Sequence, residues 1–220
     1  MIQAVLFDMD GLMFGTEQLF VDGFLAAGRE LNIPVTESLL ARLRGTGIAE
    51  CRKIFNDAIP GELYDTARAL CVQRVEEGIH TRGVPVKPGL YALLKWLKEH
   101  QIPAVLATST ARERAMDLVD RAGVREYFSS FVFGTEMPRP KPFPDIFLAA
   151  AKSVGADPMH CLVLEDSHNG LRAAKAAGCI ALAVPDLDPA PEASLGLWDY
   201  QRESLDQVIP ILEELTRIHK

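Results

Sequence analysis

Acidic side chains stand at two places where short apolar runs of the sequence end. Asp8 and Asp10 follow the run Ala4–Phe7, and Glu165 and Asp166 close a second apolar run. If these carboxylates converge, charges about 4 Å apart repel by about 4 kcal/mol per pair at an effective dielectric of about 20. A divalent cation would relieve that repulsion, and all-oxygen ligands favour Mg²⁺ when a phosphate completes the coordination. Taken singly, each carboxylate could equally be a helix cap or a solvated turn residue.

Three further residues could hold a phosphate group. Thr108 and Ser109 follow the apolar run Ala104–Ala107 and precede a predicted helix, where hydroxyl and backbone N–H groups form an anion site. Lys141 lies between two prolines, which stiffen the segment and lower the entropy lost when the lysine is fixed. An empty helix cap and a solvated lysine are the ordinary alternatives. Together with the acidic clusters, however, these residues suit phosphoryl transfer, which depends on positioning and charge neutralisation.

The apolar pattern predicts the elements that must position these side chains. The predicted strands are Ala4–Phe7, Pro103–Ala107, Ser130–Phe133, Leu162–Leu164 and Ile180–Val184. The predicted helices that alternate with them are Leu90–His100, Ala111–Ala122, Asp145–Val154, Asn169–Ala177 and Leu205–Ile218. Such alternation indicates an α/β fold with a parallel sheet covered on both faces. Parallel sheets bind ligands at the carboxyl ends of their strands, where the polar clusters of this sequence lie.

The segment from Thr16 to about Thr81 has a different pattern. Its apolar residues recur at helical spacing, and breaks fall at Asn32–Pro34, Gly45–Gly47 and Pro60–Gly61. The pattern predicts an all-helical insertion. A chain of 220 residues has room for one core domain and a modest insertion. We therefore predict an α/β core at residues 1–15 and 84–220, and a helical domain at 16–83.

Composition restricts the partners and the compartment. The formal net charge of −7 argues against nucleic acid or anionic lipid as the main partner. The N-terminal segment lacks the basic region of a signal peptide, and no apolar run is long enough to span a bilayer. The four cysteines are scattered without a CxxC pair, which favours small buried thiols over zinc sites or disulfides. We expect a cytoplasmic protein.

The candidate residues belong to four short motifs. In chain order they are Phe7-Asp8-Met9-Asp10-Gly11-Leu12, Leu106-Ala107-Thr108-Ser109, Lys141-Pro142-Phe143-Pro144-Asp145 and Leu164-Glu165-Asp166-Ser167. These motifs, in this order, resemble those of the haloacid dehalogenase-like hydrolase superfamily, in its branch with a small helical cap. That branch includes β-phosphoglucomutase-like and phosphoglycolate-phosphatase-like enzymes. The resemblance covers nearly the whole chain. It implies a Rossmann-like core and a helical cap that closes over the site and excludes bulk water.

The resemblance implies roles for the first and fourth motifs. Asp8 would attack phosphorus and also bind Mg²⁺. Asp10 would protonate the leaving alcohol and then activate water, while its backbone carbonyl ligates the metal. Asp166 would be a metal ligand, and Glu165 would bind the metal directly or through water. Haloacid dehalogenases need no acid at the position of Asp10 and no metal, so this residue favours phosphate chemistry.

The resemblance also implies a set of residues that hold phosphate and substrate. Thr108 and Lys141 would bind the phosphoryl oxygens. Met9 and Ser109, which lie beside the catalytic residues in the matching motifs, would also contact the phosphate or the substrate. Arg44 and Gly45 would belong to a substrate-reading loop, although Arg44 could equally be a solvated helix-end residue.

Two departures from the family pattern bear on function. Gly15 stands where related enzymes usually have an aspartate that steadies the hinge between core and cap. Phe20 and Ile48 are nearest to the positions where sugar phosphomutases of this branch have a histidine and an arginine for the distal phosphate. The second departure favours hydrolysis over mutase chemistry.

The sequence therefore predicts a Mg²⁺-dependent phosphatase that acts through a phospho-aspartyl intermediate on Asp8. Its partner would be a small phosphorylated metabolite, such as a sugar phosphate, and the resemblance implies a monomer. Two alternatives stay open. One is a phosphosugar mutase of the same branch, and the other is a non-catalytic phospho-acceptor or binding module.

Overall fold

The chain forms two compact units, one of which is inserted into the sequence of the other. The computed structural model describes residues 1–44, 46–186 and 196–217. Met1–Gly15 and Val86–Lys220 make up the α/β unit, and Thr16–Pro85 make up the helical unit. The predicted fold class, an α/β core with a helical insertion, is confirmed.

A parallel sheet forms the centre of the α/β unit. Its strands are β1 (Ala4–Phe7), β2 (Ala104–Thr108), β3 (Phe128–Phe133), β4 (Cys161–Glu165), β5 (Ile180–Ala183) and β6 (Tyr200–Gln201). They lie in the order β3-β2-β1-β4-β5-β6, and each neighbouring pair is parallel. Phe7 pairs with Leu106 on one side and with Leu164 on the other. This register brings the carboxyl ends of β1, β2 and β4 to one edge.

Among the described residues, five helices accompany this sheet, and the last of them follows the final strand. They are α5 (Leu90–Glu99), α6 (Arg112–Arg121), α7 (Asp145–Ser153), α8 (His168–Ala176) and α9 (Val208–Arg217). Phe147 and Leu171 of these helices belong to one buried cluster with Leu6 and Val163 of the sheet. Every residue of β1, β2 and β4 is buried, as expected for a parallel sheet covered on both faces.

The described residues of the helical unit form four helices around an aromatic centre. The helices are α1 (Thr16–Leu31), α2 (Glu37–Leu43), α3 (Ile48–Ala58) and α4 (Tyr64–Arg82). The rings of Phe24, Phe55 and Tyr64 pack together, with centroids 5.6–6.3 Å apart. Helices α1 and α4 approach closely at Gly23, where an added Cβ would lie 3.1 Å from the carbonyl oxygen of Cys71.

The differences from the predicted elements have local causes. Strand β3 begins at Phe128 rather than Ser130, because Phe128 already pairs with Ala104 although the exposed Ser129 interrupts the apolar run. The last helix begins at Val208 rather than Leu205, because residues 205–207 form a single 3₁₀ turn. Its predicted end, Ile218, lies outside the described residues. Strand β6 has two residues and was not predicted, since so short a segment has no apolar pattern.

The cysteine side chains lie in the interior of the protein. All four cysteines are buried and free, which confirms the prediction of small buried thiols. Within the described part of the chain, none of the helices combines the length and the apolar character that crossing a membrane requires.

We predict that the aromatic centre stabilises the helical unit. Phe55 is fully buried, so Phe55→Ala should lower the free energy of unfolding of this unit by about 3–5 kcal/mol through lost burial and a cavity. Urea unfolding followed by circular dichroism measures the change. Ile48→Ala is the control, because Ile48 is 54% exposed and its truncation should change stability by at most about 0.5 kcal/mol. Equal effects of the two substitutions would contradict the prediction.

Candidate active site

Three carboxylates meet at the carboxyl ends of β1 and β4. Asp8 follows β1, Glu165 ends β4, and Asp166 comes directly after it. The backbone N–H of Asp8 donates to the carbonyl oxygen of Leu164 over 3.1 Å, which fixes the two strand ends side by side. One carboxylate oxygen from each of the three residues lies within 4.8 Å of the other two. The parallel register thus forces like charges together in a largely buried place.

Lys141 supplies a cation to this cluster. Its Nζ donates to Asp8 Oδ1 and to Glu165 Oε1, each over 2.5 Å. The side chain is 8% exposed, and the ammonium lies 5.1 Å from the centre of the Phe147 ring. One lysine does not balance three carboxylates, so the cluster retains an excess of negative charge whenever all three are ionised.

Both carboxylate oxygens of Glu165 accept hydrogen bonds. It is fully buried, and Oε2 accepts hydrogen bonds from the backbone N–H of Ser167 (3.0 Å) and from its hydroxyl (2.9 Å). Ser167 also caps α8, because its Oγ accepts from the Gly170 N–H. A Cβ at position 170 would lie 1.8 Å from Glu165 Oε1. Glycine at the start of α8 therefore makes the space that Glu165 occupies.

Asp166 has an oxygen without a partner. Its Oδ1 is buried and accepts no hydrogen bond from the described residues. An unsatisfied buried oxygen costs about 1–3 kcal/mol, so it calls for an explanation. The other oxygen lies against Gly11, where an added Cβ would be 2.2 Å away. A hard divalent cation fits this set of residues, because it would satisfy the oxygen and offset the three negative charges.

The electrostatics of the cluster shift the pKa of Asp8, Asp166 and Lys141. Burial raises the pKa of Asp8 to about 7, with the charge of Lys141 opposing and that of Glu165 adding to the rise. Burial, then the charges of Glu165 and Asp8, raise the pKa of Asp166 well above its usual value. Burial alone would lower the pKa of Lys141, but its two carboxylate partners outweigh that effect and raise it. A bound cation would favour the ionised carboxylates and reverse these rises.

Asp10 lies in a loop that folds back after β1. The N–H groups of Met13 and Phe14 both donate to the carbonyl oxygen of Met9, which closes the loop. Oδ2 of Asp10 accepts a hydrogen bond of 2.6 Å from the hydroxyl of Thr110. The N–H of Thr110 donates to Oγ1 of Thr108, the last residue of β2, over 3.0 Å. Sequence reasoning missed Thr110, although its place two residues after Thr108 in the same loop was a usable signal.

The remaining predicted site residues lie in different places. Met9 is fully buried, and Ser109 is exposed after β2. Arg44 follows α2 in the helical unit, where it lines a cavity of about 200 Å³. Gly45 lies outside the described residues. The structure therefore brings the residues of the four motifs to one edge of the sheet, with Arg44 in a separate unit.

Comparison with known proteins gives a family. The model of the haloacid dehalogenase-like hydrolases matches residues 5–184. The chain belongs to this family. As a haloacid dehalogenase-like hydrolase, it contains all four segments from which the resemblance was inferred, and that inference is confirmed.

Three relatives of this hydrolase show its branch. It is 31% identical to the phosphorylated carbohydrates phosphatase of Thermotoga maritima over 179 residues, and that match covers 80% of this chain and 82% of the relative. It is 28% identical to the β-phosphoglucomutase of Bacillus subtilis over 220 residues, and that match covers 97% of this chain and 95% of the relative. The structure of CbbY from Rhodobacter sphaeroides in complex with phosphate superposes with a TM-score of 0.77 at 27% identity, over 94% of this chain and 96% of that chain. The chain thus lies in the β-phosphoglucomutase-like branch.

We predict that the space made by Gly170 is needed for metal binding. Gly170→Ala should displace the Glu165 carboxylate and weaken Mg²⁺ binding by about 10-fold or more. Losses of about this size follow when residues that support the direct metal ligands are changed at other metal sites. Calorimetric titration with Mg²⁺ measures the affinity. Gly78→Ala is a matched control, since Gly78 is also helical and its Cβ would meet only the mobile end of Arg82. Unchanged Mg²⁺ affinity in Gly170→Ala would contradict the prediction.

Proposed function

We propose that the chain is a Mg²⁺-dependent phosphatase that hydrolyses a small phosphate monoester through a phospho-aspartyl intermediate on Asp8. The observation that carries the proposal is the cluster of Asp8, Glu165 and Asp166 around one lysine at the edge of the sheet. Asp10 lies two residues from Asp8, with its carboxylate held by Thr110. A nucleophile, an acid–base group, a cation and a metal cage are thereby available to one phosphoryl group.

The carboxylates of Asp8 and Asp166 and the backbone carbonyl of Asp10 would hold the metal. Bound there, Mg²⁺ supplies positive charge that neutralises the phosphoryl oxygens and the acidic cluster. The unpartnered Oδ1 of Asp166 supports its role as a direct ligand.

Glu165 would bind the metal through water rather than directly. Its Oε1 already accepts from Lys141, and its Oε2 already accepts twice from Ser167. Its main effect is then to hold Lys141 in place beside Asp8 and to add negative charge to the metal cage.

In the first half-reaction, a carboxylate oxygen of Asp8 attacks phosphorus as the bond from phosphorus to the leaving oxygen breaks. Asp10 gives its proton to that oxygen, so an alcohol leaves instead of an alkoxide. Lys141 and Thr108 bind the phosphoryl oxygens and reduce the charge that the nucleophile meets. Lys141 suits this role because its ammonium already contacts Asp8.

In the second half-reaction, water attacks phosphorus and the bond from phosphorus to Asp8 breaks. Asp10, which lost its proton in the first step, takes one from the attacking water. Inorganic phosphate leaves, and both aspartates return to their starting states. One acid–base residue thus serves both steps, and no other reactant is consumed.

A sugar phosphate or a similar metabolite is the proposed substrate. The relative from Thermotoga maritima is named a phosphatase of phosphorylated carbohydrates, which supports this class. The likeness to a β-phosphoglucomutase favours a second candidate, a phosphosugar mutase. Phe20 and Ile48 argue against it, since neither side chain can bind a distal phosphate. The proposed enzyme is a monomer in the cytoplasm, a reducing compartment that suits its four free thiols.

We expect Asp8→Asn to fold and to lose turnover of p-nitrophenyl phosphate with Mg²⁺ by about 10³-fold or more, because an amide cannot form the acyl phosphate. Release of p-nitrophenol, followed by absorbance, measures the rate. Asp117→Asn is the control, because the Asp117 side chain is 41% exposed and its ion pair is with Arg121 of the same helix, and it should keep the full rate. Substantial activity in Asp8→Asn would rule out the proposed mechanism.

The reaction products distinguish a phosphatase from a phosphosugar mutase. With a panel of phosphorylated sugars and Mg²⁺, we expect one molecule of inorganic phosphate for each molecule of substrate consumed. Phosphorus NMR of the reaction mixture measures both quantities at once. An isomeric sugar phosphate that accumulates without inorganic phosphate would instead support the mutase.

A further inference from the structure

We infer that Thr110 is a positioning residue for the acid–base function of Asp10, an inference that rests on the proposed function. The hydroxyl of Thr110 donates to Asp10 Oδ2 over 2.6 Å, although the two residues lie 100 positions apart in the sequence. A hydrogen bond from a fixed donor to one oxygen of a carboxylate restricts rotation about the Cβ–Cγ bond. Thr110 therefore restrains the orientation of the Asp10 carboxylate.

Thr110 is itself fixed by its backbone. Its N–H donates to Thr108 Oγ1 over 3.0 Å, in the short loop between β2 and α6. Thr108 is 1% exposed at the end of a fully buried strand, so this hydrogen bond ties Thr110 to the rigid part of the sheet. The loop after β2 thus connects a proposed phosphate-binding hydroxyl to the proposed acid–base group through one residue.

The geometry is compatible with both protonation states of Asp10. When Asp10 is ionised, Oδ2 accepts the hydroxyl proton of Thr110 as a carboxylate oxygen. When Asp10 carries a proton on Oδ1, Oδ2 is the carbonyl oxygen of the acid and still accepts the same hydrogen bond. Thr110 can therefore hold the side chain through both half-reactions.

The test compares three variants with two substrates. Thr110→Val removes the hydroxyl at nearly constant shape, and Thr110→Ser keeps a hydroxyl. Thr216→Val is the matched control, because the hydroxyl of Thr216 bonds to the backbone of α9, at Leu212 and Glu213. Should Thr110→Val fail to fold, Thr110→Ala takes its place. The substrates are p-nitrophenyl phosphate, whose leaving group is weakly basic, and phenyl phosphate, whose leaving group is more basic and needs more help from an acid.

Loss of the donor should reduce kcat/KM for phenyl phosphate by about 10- to 100-fold in Thr110→Val, the range expected for a hydrogen bond to a charged group. The loss with p-nitrophenyl phosphate should be smaller. Thr110→Ser should stay within about threefold of the wild type, and Thr216→Val should match it. In the Asp10→Asn background, Thr110→Val should cause little further loss of kcat/KM, because the two changes remove one function.

Three results would overturn the inference alone: no loss of kcat/KM in Thr110→Val, equal losses for the two substrates, or the same loss in the Asp10→Asn background. Each of these results counts against the inference alone only if the wild type turns over substrate and Asp8→Asn does not. Absence of any turnover that depends on Asp8 would instead overturn the proposed function, and this inference with it.

Discussion

Repulsion among three carboxylates in a largely buried cluster is the constraint on which the site depends. Parallel pairing of β1 with β4 brings Asp8, Glu165 and Asp166 together, and Lys141 offsets only part of their charge. The raised pKa of Asp8 and of Asp166 expresses the same cost, since burial and like charges both oppose ionisation. Groups that destabilise a fold in this way are typical of functional sites. A bound metal ion would offset the repulsion among the carboxylates, so the repulsion would favour metal binding and, through the metal, binding of a phosphoryl group.

The surrounding structure makes this convergence possible. Phe7 pairs in register with Leu106 and Leu164, so the polar residues that follow these three strands end at the same level. Gly11 and Gly170 leave space where any side chain would meet the carboxylates of Asp166 and Glu165. Because the strands are buried on both faces, the edge cannot relax to separate the charges. Rigidity of the sheet therefore maintains the electrostatic arrangement.

The sequence predicted the parts of the site that follow from local patterns. Asp8 and Glu165 end apolar runs that are too short for helices, and parallel strands end at one edge, so their convergence could be inferred. The contact between Thr110 and Asp10 could not, because it joins residues 100 positions apart through side chains whose directions depend on the folded loops. Strand β6 and the 3₁₀ turn at Leu205–Gln207 escaped prediction since both are set by neighbouring chain segments.

Crystals soaked in Mn²⁺ offer the most direct measurement of the central claim, because Mn²⁺ shares the preference of Mg²⁺ for oxygen ligands and scatters anomalously. The account predicts one strong anomalous peak at about 2 Å from carboxylate oxygens of both Asp8 and Asp166. Absence of that peak at a saturating concentration of Mn²⁺, or peaks found only at other acidic residues, would contradict it.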